Sequence, residues 1–451
     1  MKKIMALGRR RHFDRVYKLA QNLYDDCSID LWSDENLGGE RVKWFGEFFY
    51  KEFNQCSCFK IIPEADEMES YISRCRFLRN FERKKAERCV LSAISAWTEI
   101  FKNYGYDEVL SLPVDSFIVD TLIKSAELAG IKVFFPVTTP FKGRIRFSKR
   151  GELEGITGTK EQYAEIIAKE AENIAQQNYR ADILMGINTR ATKTIMRRLL
   201  IDSVKQPFFS AYRIIKNDPL SFSFPERKYM LKRMFATLPR ALKAVELENI
   251  SKTVIPDGHI FIPMQFYPES TTDYWIPELE MCDHHKTVLK IIDAVGGRYP
   301  VVMKEHPAAI GRRDEKFLNE IVKRGVIFAP LLMPTGLIMQ NASLVIGSGT
   351  TTMLQAMLNE KNVMFTGTPF YGSHGRTVLK TLDDKAEILS VVEKAMADSY
   401  KDGEKELSLI DYFLTSTPGR LGSYKIIGET SLSQQFDVYI PDETKKYFQT
   451  L

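Results

Sequence analysis

Cysteine is scarce in this sequence, and long apolar runs are missing from it. Its 451 residues include six cysteines, of which only Cys56 and Cys58 lie close together. This spacing forms neither a disulfide framework nor a paired CxxC metal site, so we expect reduced thiols. No segment reaches the ~18 apolar residues that span a bilayer, and the apolar stretch after Lys2 and Lys3 is too short for a signal peptide. We therefore expect a cytoplasmic protein that at most lies on the inner face of the cytoplasmic membrane.

A large excess of one charge is missing as well. Lys and Arg number 63 against 58 Asp and Glu, which gives a formal net charge of +5. So small an excess argues against a dedicated nucleic-acid-binding protein. Hydrophobic residues make up 44% and charged residues 27% of the chain, which is typical of a soluble globular enzyme and excludes a disordered, collagen-like or coiled-coil protein. The length predicts roughly two to four domains.

The first part of the chain alternates strands and helices. Residues 107–112 have the pattern of a strand, 115–128 that of a helix, and 131–135 that of a second strand. A strand, a helix and a strand within so short a stretch form a βαβ unit and imply a parallel sheet. Asp115 follows the first strand at the predicted helix start, where ligands bind in open α/β sheets. We therefore count Asp115 among the candidate catalytic residues.

The positive charge is concentrated in residues 191–250. This segment has 12 basic and 5 acidic residues, so the rest of the chain carries a slight negative excess. Its helical pattern and interleaved aromatic residues, such as Phe208, would suit a peripheral contact with anionic lipid. A solvated helical connector between two domains explains the same pattern and is the interpretation that the sequence favours.

A second α/β region follows the basic segment. Strand patterns at 260–264, 301–304, 344–346 and 363–365 are separated by helical stretches. Two Rossmann-like α/β domains with a helical connector form the GT-B arrangement of many nucleotide-sugar glycosyltransferases, which is an analogy of fold. The predicted parts are an N-terminal Rossmann-like domain on the acceptor side (1–185), a basic helical connector (186–256), a C-terminal nucleotide-sugar-binding domain (257–400) and a tail that packs back on the N-terminal domain (401–451).

The strand at 301–304 leads into Glu305, His306 and Pro307. Alternation along a strand predicts that Lys304 and His306 face the same side of the sheet. A cation beside an imidazole suits an anionic leaving group, because histidine can bind a phosphate oxygen or donate a proton to it.

A glycine-containing turn follows the strand at 344–346. Ser348, Gly349, Thr350 and Thr351 connect that strand to a helical stretch. A helix N-terminus offers unpaired N–H groups to a phosphate, and glycine allows close approach. The turn is not a Walker A loop, since no Gly-Lys-Ser/Thr follows. A simple helix N-cap is the alternative.

Two further loops carry candidate ligand-binding residues. The segment after the strand at 260–264 contains Gln265, together with Glu269 and Asp273 as candidates for general base, nucleophile or sugar binding. Trp275 in the same segment could stack on a sugar or a base. The loop after the strand at 363–365 contains Tyr371, which could hold a nucleotide or a sugar.

Residues 260–372 resemble the bacterial capsular and surface polysaccharide synthesis family, which includes the CMP-Kdo transferases. The resemblance lies in four motifs that occur in the family's order and spacing. These are Pro268 to Thr272, Lys304 to Pro307 with Gly311 and Arg312, Ser348 to Thr350, and Phe370 with Tyr371. The His-Pro and Ser/Thr motifs are also similar to those of the GT-B bacterial sialyltransferases, which bind CMP. The Glu-Asp-Gly segment that the capsule Kdo transferases often carry is not found here.

The resemblance implies transfer of a 2-keto sugar acid, Kdo or a nonulosonic acid of the sialic type, from its CMP-activated donor to a glycan or glycolipid acceptor. His306 would bind or protonate the departing CMP phosphate, residues 348–351 would hold it, and Lys304 with Arg312 or Arg313 would pair with the phosphate or the sugar carboxylate. That scheme needs no cofactor and no metal. In a retaining enzyme Asp115, Glu269 and Asp273 compete as nucleophile. The alternatives are a UDP-sugar-dependent transferase or epimerase and a non-catalytic nucleotide-sugar-binding capsule protein.

Overall fold

The computed structural model describes a defined set of residues in two compact units. The described residues are 1–8, 13–37, 41–55, 59–139, 141, 143–148, 150, 165, 168–169, 172–176, 208, 211, 215, 218, 243, 246–267, 269–306, 309, 313–331, 333–373, 375–398, 416–421 and 438–451. The first unit contains the described parts of 1–157, 207–230 and 416–451, and the second contains those of 158–206 and 231–415.

The first unit is built on a parallel-rich sheet. Its strands up to residue 148 are Lys2–Gly8 (β1), Cys27–Ser33 (β2), Val42–Trp44 (β3), Glu108–Ser111 (β4), Lys132–Thr138 (β5) and Arg144–Ser148 (β6). The order is β6-β5-β4-β1-β2-β3, and only the β5–β6 pair among these strands is antiparallel. The order reverses at β1, which lies between β4 and β2, so the carboxyl ends of β1 and β4 form a topological switch point.

Five helices connect these strands: Phe13–Leu23 (α1), Phe45–Asn54 (α2), Ala65–Arg74 (α3), Arg83–Tyr104 (α4) and Phe117–Leu128 (α5). The long helix α4 buries one apolar face against α2 and α5, with Trp97 stacked on Phe45 at 4.2 Å between ring centroids. It ends at Gly105, whose φ of +61° gives the left-handed C-cap that a side chain would disfavour. The hydrophobic period of 3.6 residues thus places α4 across the core of this unit.

The second unit is built on a wholly parallel sheet. Its strands are His259–Pro263 (β7), Val301–Lys304 (β8), Ile327–Phe328 (β9), Ala342–Gly347 (β10), Val363–Thr366 (β11) and Thr377–Leu379 (β12). The order is β12-β11-β10-β7-β8-β9. The central strands are nearly continuous runs of buried apolar residues, as expected for a sheet covered on both faces.

The described helices that follow β7 in this unit are Ser270–Asp273 (α6), His284–Val295 (α7), Glu315–Lys323 (α8), Thr335–Gln340 (α9), Thr351–Leu358 (α10) and Lys385–Ala397 (α11). Three of them begin at aspartates whose side chains accept a backbone hydrogen bond from the first turn. The N-caps are Asp283, Asp314 and Asp384. The predicted α/β class with two Rossmann-like units is confirmed by the two sheets.

The last described residues complete the first unit. Thr417–Pro418 (β13) pairs antiparallel with β6, Arg420–Leu421 (β14) pairs with Val438–Tyr439 (β15), and Asp442–Thr450 (α12) follows. Phe448 of α12 packs its ring against Tyr24, Phe134 and Phe147, with centroids 4.7–5.1 Å apart. Helix α12 therefore closes one side of the core of the first unit.

Several predicted elements agree with the structure, and some boundaries move. The strand predicted at 301–304 is found at that position, and the strand predicted at 260–264 is found at His259–Pro263. Helix α5 begins at Phe117, so Asp115 lies in the preceding loop. The basic connector at 186–256 falls largely outside the described residues. In the part of the chain that the structure describes, no helix has both the length and the apolar character needed to cross a bilayer.

Candidate functional site

The second sheet has its switch point between β7 and β10. From β7 the chain fills the sheet toward β8 and β9, and from β10 it fills the other side toward β11 and β12. Gln265 follows β7 and Ser348 follows β10, and the Gln265 Nε2 atom donates a hydrogen bond to Ser348 Oγ at 2.5 Å. Both side chains are buried. Two predicted binding residues thus meet where ligand crevices form in open parallel sheets.

The Ser348–Thr351 turn leads directly from β10 into α10. A Cβ at Gly349 would lie 3.1 Å from both Phe370 Cδ1 and Pro369 Cβ, so glycine permits the close packing of this turn on the loop after β11. Thr350 is the N-cap residue of α10, and its side chain makes no capping hydrogen bond. Among the described residues the buried Thr350 Oγ1 has no hydrogen-bond partner. The helix N-terminus and this hydroxyl can therefore both be offered to an anion.

Tyr371 positions that turn. Its ring is fully buried, and its hydroxyl donates a hydrogen bond to the Thr350 carbonyl oxygen at 3.1 Å. The neighbouring Phe370 ring meets the Trp275 ring edge to face at 4.9 Å. Glu278 accepts hydrogen bonds from Thr368 N and Oγ1 at 2.8 and 2.6 Å. Tyr371 thus contacts the 348–351 turn, and its predicted contact with a nucleotide or a sugar stays a prediction.

The loop after β8 contains an ion pair that also contacts the loop after β7. Arg313 donates from Nε and Nη2 to the two carboxylate oxygens of Glu305 at 2.7 and 2.6 Å. Its Nη2 also donates to the Gln265 carbonyl oxygen at 2.6 Å. Arg313 is 2% exposed, so a buried planar cation is held in a fixed orientation next to Gln265. The sequence interpretation named Arg313 only beside Arg312 and gave Glu305 no role, although Glu305 stands inside the Lys-Glu-His-Pro motif.

His306 lies next to this ion pair. Its backbone N–H donates to Glu305 Oε1 at 2.7 Å, and its ring lies 5.8 Å from the Phe266 ring. Burial lowers the pKa of His306 to about 4; Arg313 and Lys304 lower it too, while Glu305 opposes them. The imidazole is therefore neutral at pH 7 in the unliganded protein and can donate one N–H. A bound dianion would raise the pKa again.

This burial predicts acid sensitivity. The unfolded imidazole has an ordinary pKa of 6.5 and takes up a proton as the pH falls below it, whereas folded His306 takes one up only near pH 4. The free energy of unfolding should therefore drop as the pH falls from 6.5 toward 4, with His306 alone contributing a loss of about 2 kcal/mol at pH 5. Urea unfolding of wild type and His306→Gln at pH 7 and pH 5 measures this. Equal pH dependence in the two proteins would contradict the assignment.

Lys304 and the predicted carboxylates have defined surroundings. Lys304 Nζ donates to Thr335 Oγ1 at 3.2 Å, at the start of α9. Glu269 caps the short helix α6, where its Oε2 accepts from Thr271 Oγ1 at 3.2 Å. Asp273, the last residue of α6, is fully buried. The carboxylate of Glu269 is thus engaged in the local fold.

Asp115 belongs to the first unit. It follows β4 at the switch point of the first sheet and is half-buried. Nearby Asp120 is buried in α5 and accepts a hydrogen bond from Arg150 at 2.6 Å, and burial raises its pKa.

Pro307 and Arg312 lie outside the described residues, as does most of the basic segment 191–250. Within the described residues no group of three His, Cys, Asp or Glu side chains is arranged to hold a metal ion.

Comparison with known proteins gives structural likenesses only. No family model and no curated protein matches the sequence. The chain is similar to KpsC of Thermosulfurimonas dismutans, a beta Kdo 2,7 transferase, with 11% identity over 70% of this chain and 89% of that one and a TM-score of 0.30. It is similar to the UDP-GlcNAc 2-epimerase of Methanocaldococcus jannaschii, with 10% identity over 92% and 99% of the chains and a TM-score of 0.29. A third likeness is to the N-terminal domain of Candida albicans trehalose-6-phosphate phosphatase, with 10% identity, 92% of each chain covered and a TM-score of 0.32. TM-scores this low support no argument about function.

Proposed function

We propose that the protein is a GT-B-type glycosyltransferase of surface polysaccharide synthesis that uses a CMP-activated 2-keto sugar acid, Kdo or a sialic-type acid, as its donor. The observation that carries the proposal is the Gln265–Ser348 hydrogen bond over the switch point of the second sheet. It lies beside the N-terminus of α10 and the buried cation of Arg313. The motif resemblance of residues 260–372 supplies the donor class.

The polar groups at this edge suit a phosphate. Ser348 and Thr350 supply hydroxyls, and α10 supplies the partial positive charge of its N-terminus. Arg313 is already neutralised by Glu305, so the remaining positive charge comes from Lys304 and the helix. In this arrangement the phosphate of a nucleotide monophosphate would lie on the 348–351 turn.

His306 would donate its N–H to the departing phosphate. Its neutral imidazole favours hydrogen-bond donation, and accumulation of negative charge on the leaving CMP would raise its pKa during the reaction. Arg313, fixed by Glu305, holds the loop after β7 in place. The acceptor would be a glycan or glycolipid, and the reaction would need no metal or cofactor. Asp115, Glu269 and Asp273 remain the proposed carboxylates for the acceptor or for a covalent step.

Turnover of the donor tests this function. Supplied with a glycan acceptor, the full chain should transfer the sugar from CMP-Kdo or CMP-sialic acid to an acceptor hydroxyl and release CMP. His306→Gln should lower kcat about 10²–10³-fold, as removal of one preorganised donor does elsewhere. Arg298→Gln is the matched control, because Arg298 pairs with Glu393 at the surface, and its rate should equal that of wild type. Chromatography of released CMP measures both variants.

Two other outcomes would replace the proposal, and a third would change its mechanism. Release of UDP from UDP-sugars with no release of CMP would assign a UDP-sugar transferase or epimerase. Nucleotide binding without release of either nucleotide would assign a non-catalytic capsule protein. Unchanged turnover in His306→Gln would remove His306 from the mechanism.

A separate experiment tests a peripheral membrane contact through residues 191–250. The protein should pellet with anionic vesicles at low salt, since that contact would be electrostatic.

A further inference from the structure

Buried polar atoms of Arg313, His284 and Gln265, near the loop after β7, have no hydrogen-bond partner among the described residues. They are Arg313 Nη1, His284 Nε2 and Gln265 Oε1. Arg313 is 2% exposed, and His284 and Gln265 are each 5% exposed. Buried polar groups in folded proteins are almost always paired with protein, water or ligand. Arg313 donates to the Gln265 carbonyl oxygen, and its charge helps to lower the pKa of His284 after burial, the largest cause. Unpartnered atoms on three side chains linked through Arg313 therefore indicate a group that belongs there.

These side chains are held by contacts that leave the three atoms unused. Arg313 is fixed through Nε and Nη2 by Glu305 and by the Gln265 carbonyl oxygen. The Gln265 amide is fixed at its other end by Ser348. His284 begins α7 directly after the N-cap Asp283, and its ring lies 6.0 Å from the Tyr267 ring. The protein thus holds the Arg313 and Gln265 side chains in place, and one hydrogen-bonding atom of each is left for a ligand.

We infer that Arg313, His284 and Gln265 form an internal subsite that receives an anionic oxygen of the ligand, from either its phosphate or its sugar carboxylate. This inference rests on the proposed function and assigns a binding role to His284, which lies outside all the sequence motifs. Arg313 Nη1 donates one hydrogen bond and His284 Nε2 donates a second. The free half of the Gln265 amide completes the subsite; its oxygen and nitrogen positions are interchangeable by rotation.

The charge balance of the subsite predicts that an anion binds together with a proton. Arg313 is compensated by Glu305, so an incoming anion adds an uncompensated negative charge to a buried site. Burial is the main reason why the pKa of His284 lies well below its usual range. The groups that face it, Arg313 and the neighbouring His285, lower this pKa further. An anion within hydrogen-bond distance reverses this balance and favours the imidazolium. Binding should therefore be accompanied by proton uptake at His284.

Calorimetric titration of the full chain at pH 7, in buffers that differ in ionisation enthalpy, measures that uptake. The ligands are CMP, cytidine and CMP-N-acetylneuraminate. Wild type should take up a large fraction of one proton per anionic ligand and none with cytidine, and affinity should rise up to about tenfold per unit of falling pH. Uptake with CMP itself assigns the phosphate, and uptake only with the sugar nucleotide assigns the carboxylate.

Variants test whether His284 itself is the group that takes up the proton. His284→Gln and His284→Asn should abolish the proton uptake while CMP still binds, and their melting curves report that the chain is folded. His285→Gln is the matched control, because His285 is the next residue and stacks on Phe317 at 3.9 Å, and it should keep the uptake. Binding without proton uptake, or uptake that persists in both His284 variants, would show that water alone occupies these atoms and overturn the inference. Absence of any nucleotide binding would overturn the proposed function as well.

Discussion

Replacing Arg313 with methionine should lower the free energy of unfolding by about 3 kcal/mol. The substitution leaves the Glu305 carboxylate without its bidentate partner and leaves the Gln265 carbonyl without a donor. Breaking a buried ion pair at one side is strongly destabilising, because an uncompensated charge stays behind. Urea unfolding at pH 7 measures the change.

Two control variants test whether the loss of stability comes from breaking a buried ion pair. Arg324→Met removes a guanidinium that pairs with Asp293 and Glu320 on a more exposed surface, and it should cost less than about 1 kcal/mol. The double variant Arg313→Met with Glu305→Gln should recover much of the lost stability, because it removes both charges. Similar losses for Arg313→Met and Arg324→Met would show that the Arg313 pair is not a buried anchor.

Gly367→Ala should be the most disruptive glycine substitution in the loop after β11. Gly367 has φ of +81°, and an added Cβ would lie 2.4 Å from Ile276 Cγ2. The backbone conformation costs an L-residue roughly 1–2 kcal/mol, and the overlap adds an overpacking penalty of roughly 1–3 kcal/mol. The loop also carries Tyr371, which holds Thr350, so nucleotide affinity should fall together with stability.

Gly375→Ala isolates the steric part of that prediction. Gly375 has nearly the same φ, +79°, but nothing lies within 4 Å of its added Cβ. Its loss of stability should therefore be limited to the backbone cost of roughly 1–2 kcal/mol. Thermal and urea unfolding of both variants give the comparison. If Gly375→Ala destabilises the protein as much as Gly367→Ala, contact with Ile276 does not control this loop.

Several elements of both sheets could be predicted because their signals are local. β10 is a run of apolar residues followed by a glycine-containing turn, and α7 has an aspartate N-cap and a Gly-Gly end. Such patterns depend on burial and capping within a few residues. The error at Asp115 is local as well, since Ser116 adopts an extended conformation as N-cap and delays the helix to Phe117.

The site could be predicted only in part, because its geometry depends on strand order. Gln265 and Ser348 are far apart in sequence and meet only because β10 pairs with β7. Nothing in the residue pattern fixes that neighbour relation. The contact of Tyr371 with the 348–351 turn could not be predicted for the same reason, since its hydroxyl donates to a backbone oxygen in the loop after another strand. The lowered pKa of His306 likewise follows from burial, which the His-Pro motif does not reveal.

Nucleotide binding at the second switch point is the central claim, and a thermal-shift panel tests it most directly. CMP, CDP, UDP and GDP are compared on wild type, Ser348→Ala and the surface control Arg298→Gln. A ligand that binds only the folded protein raises the melting temperature. We predict selective stabilisation by CMP that is weakened in Ser348→Ala and retained in Arg298→Gln. No shift with any nucleotide, or a shift that Ser348→Ala leaves unchanged, would contradict the account.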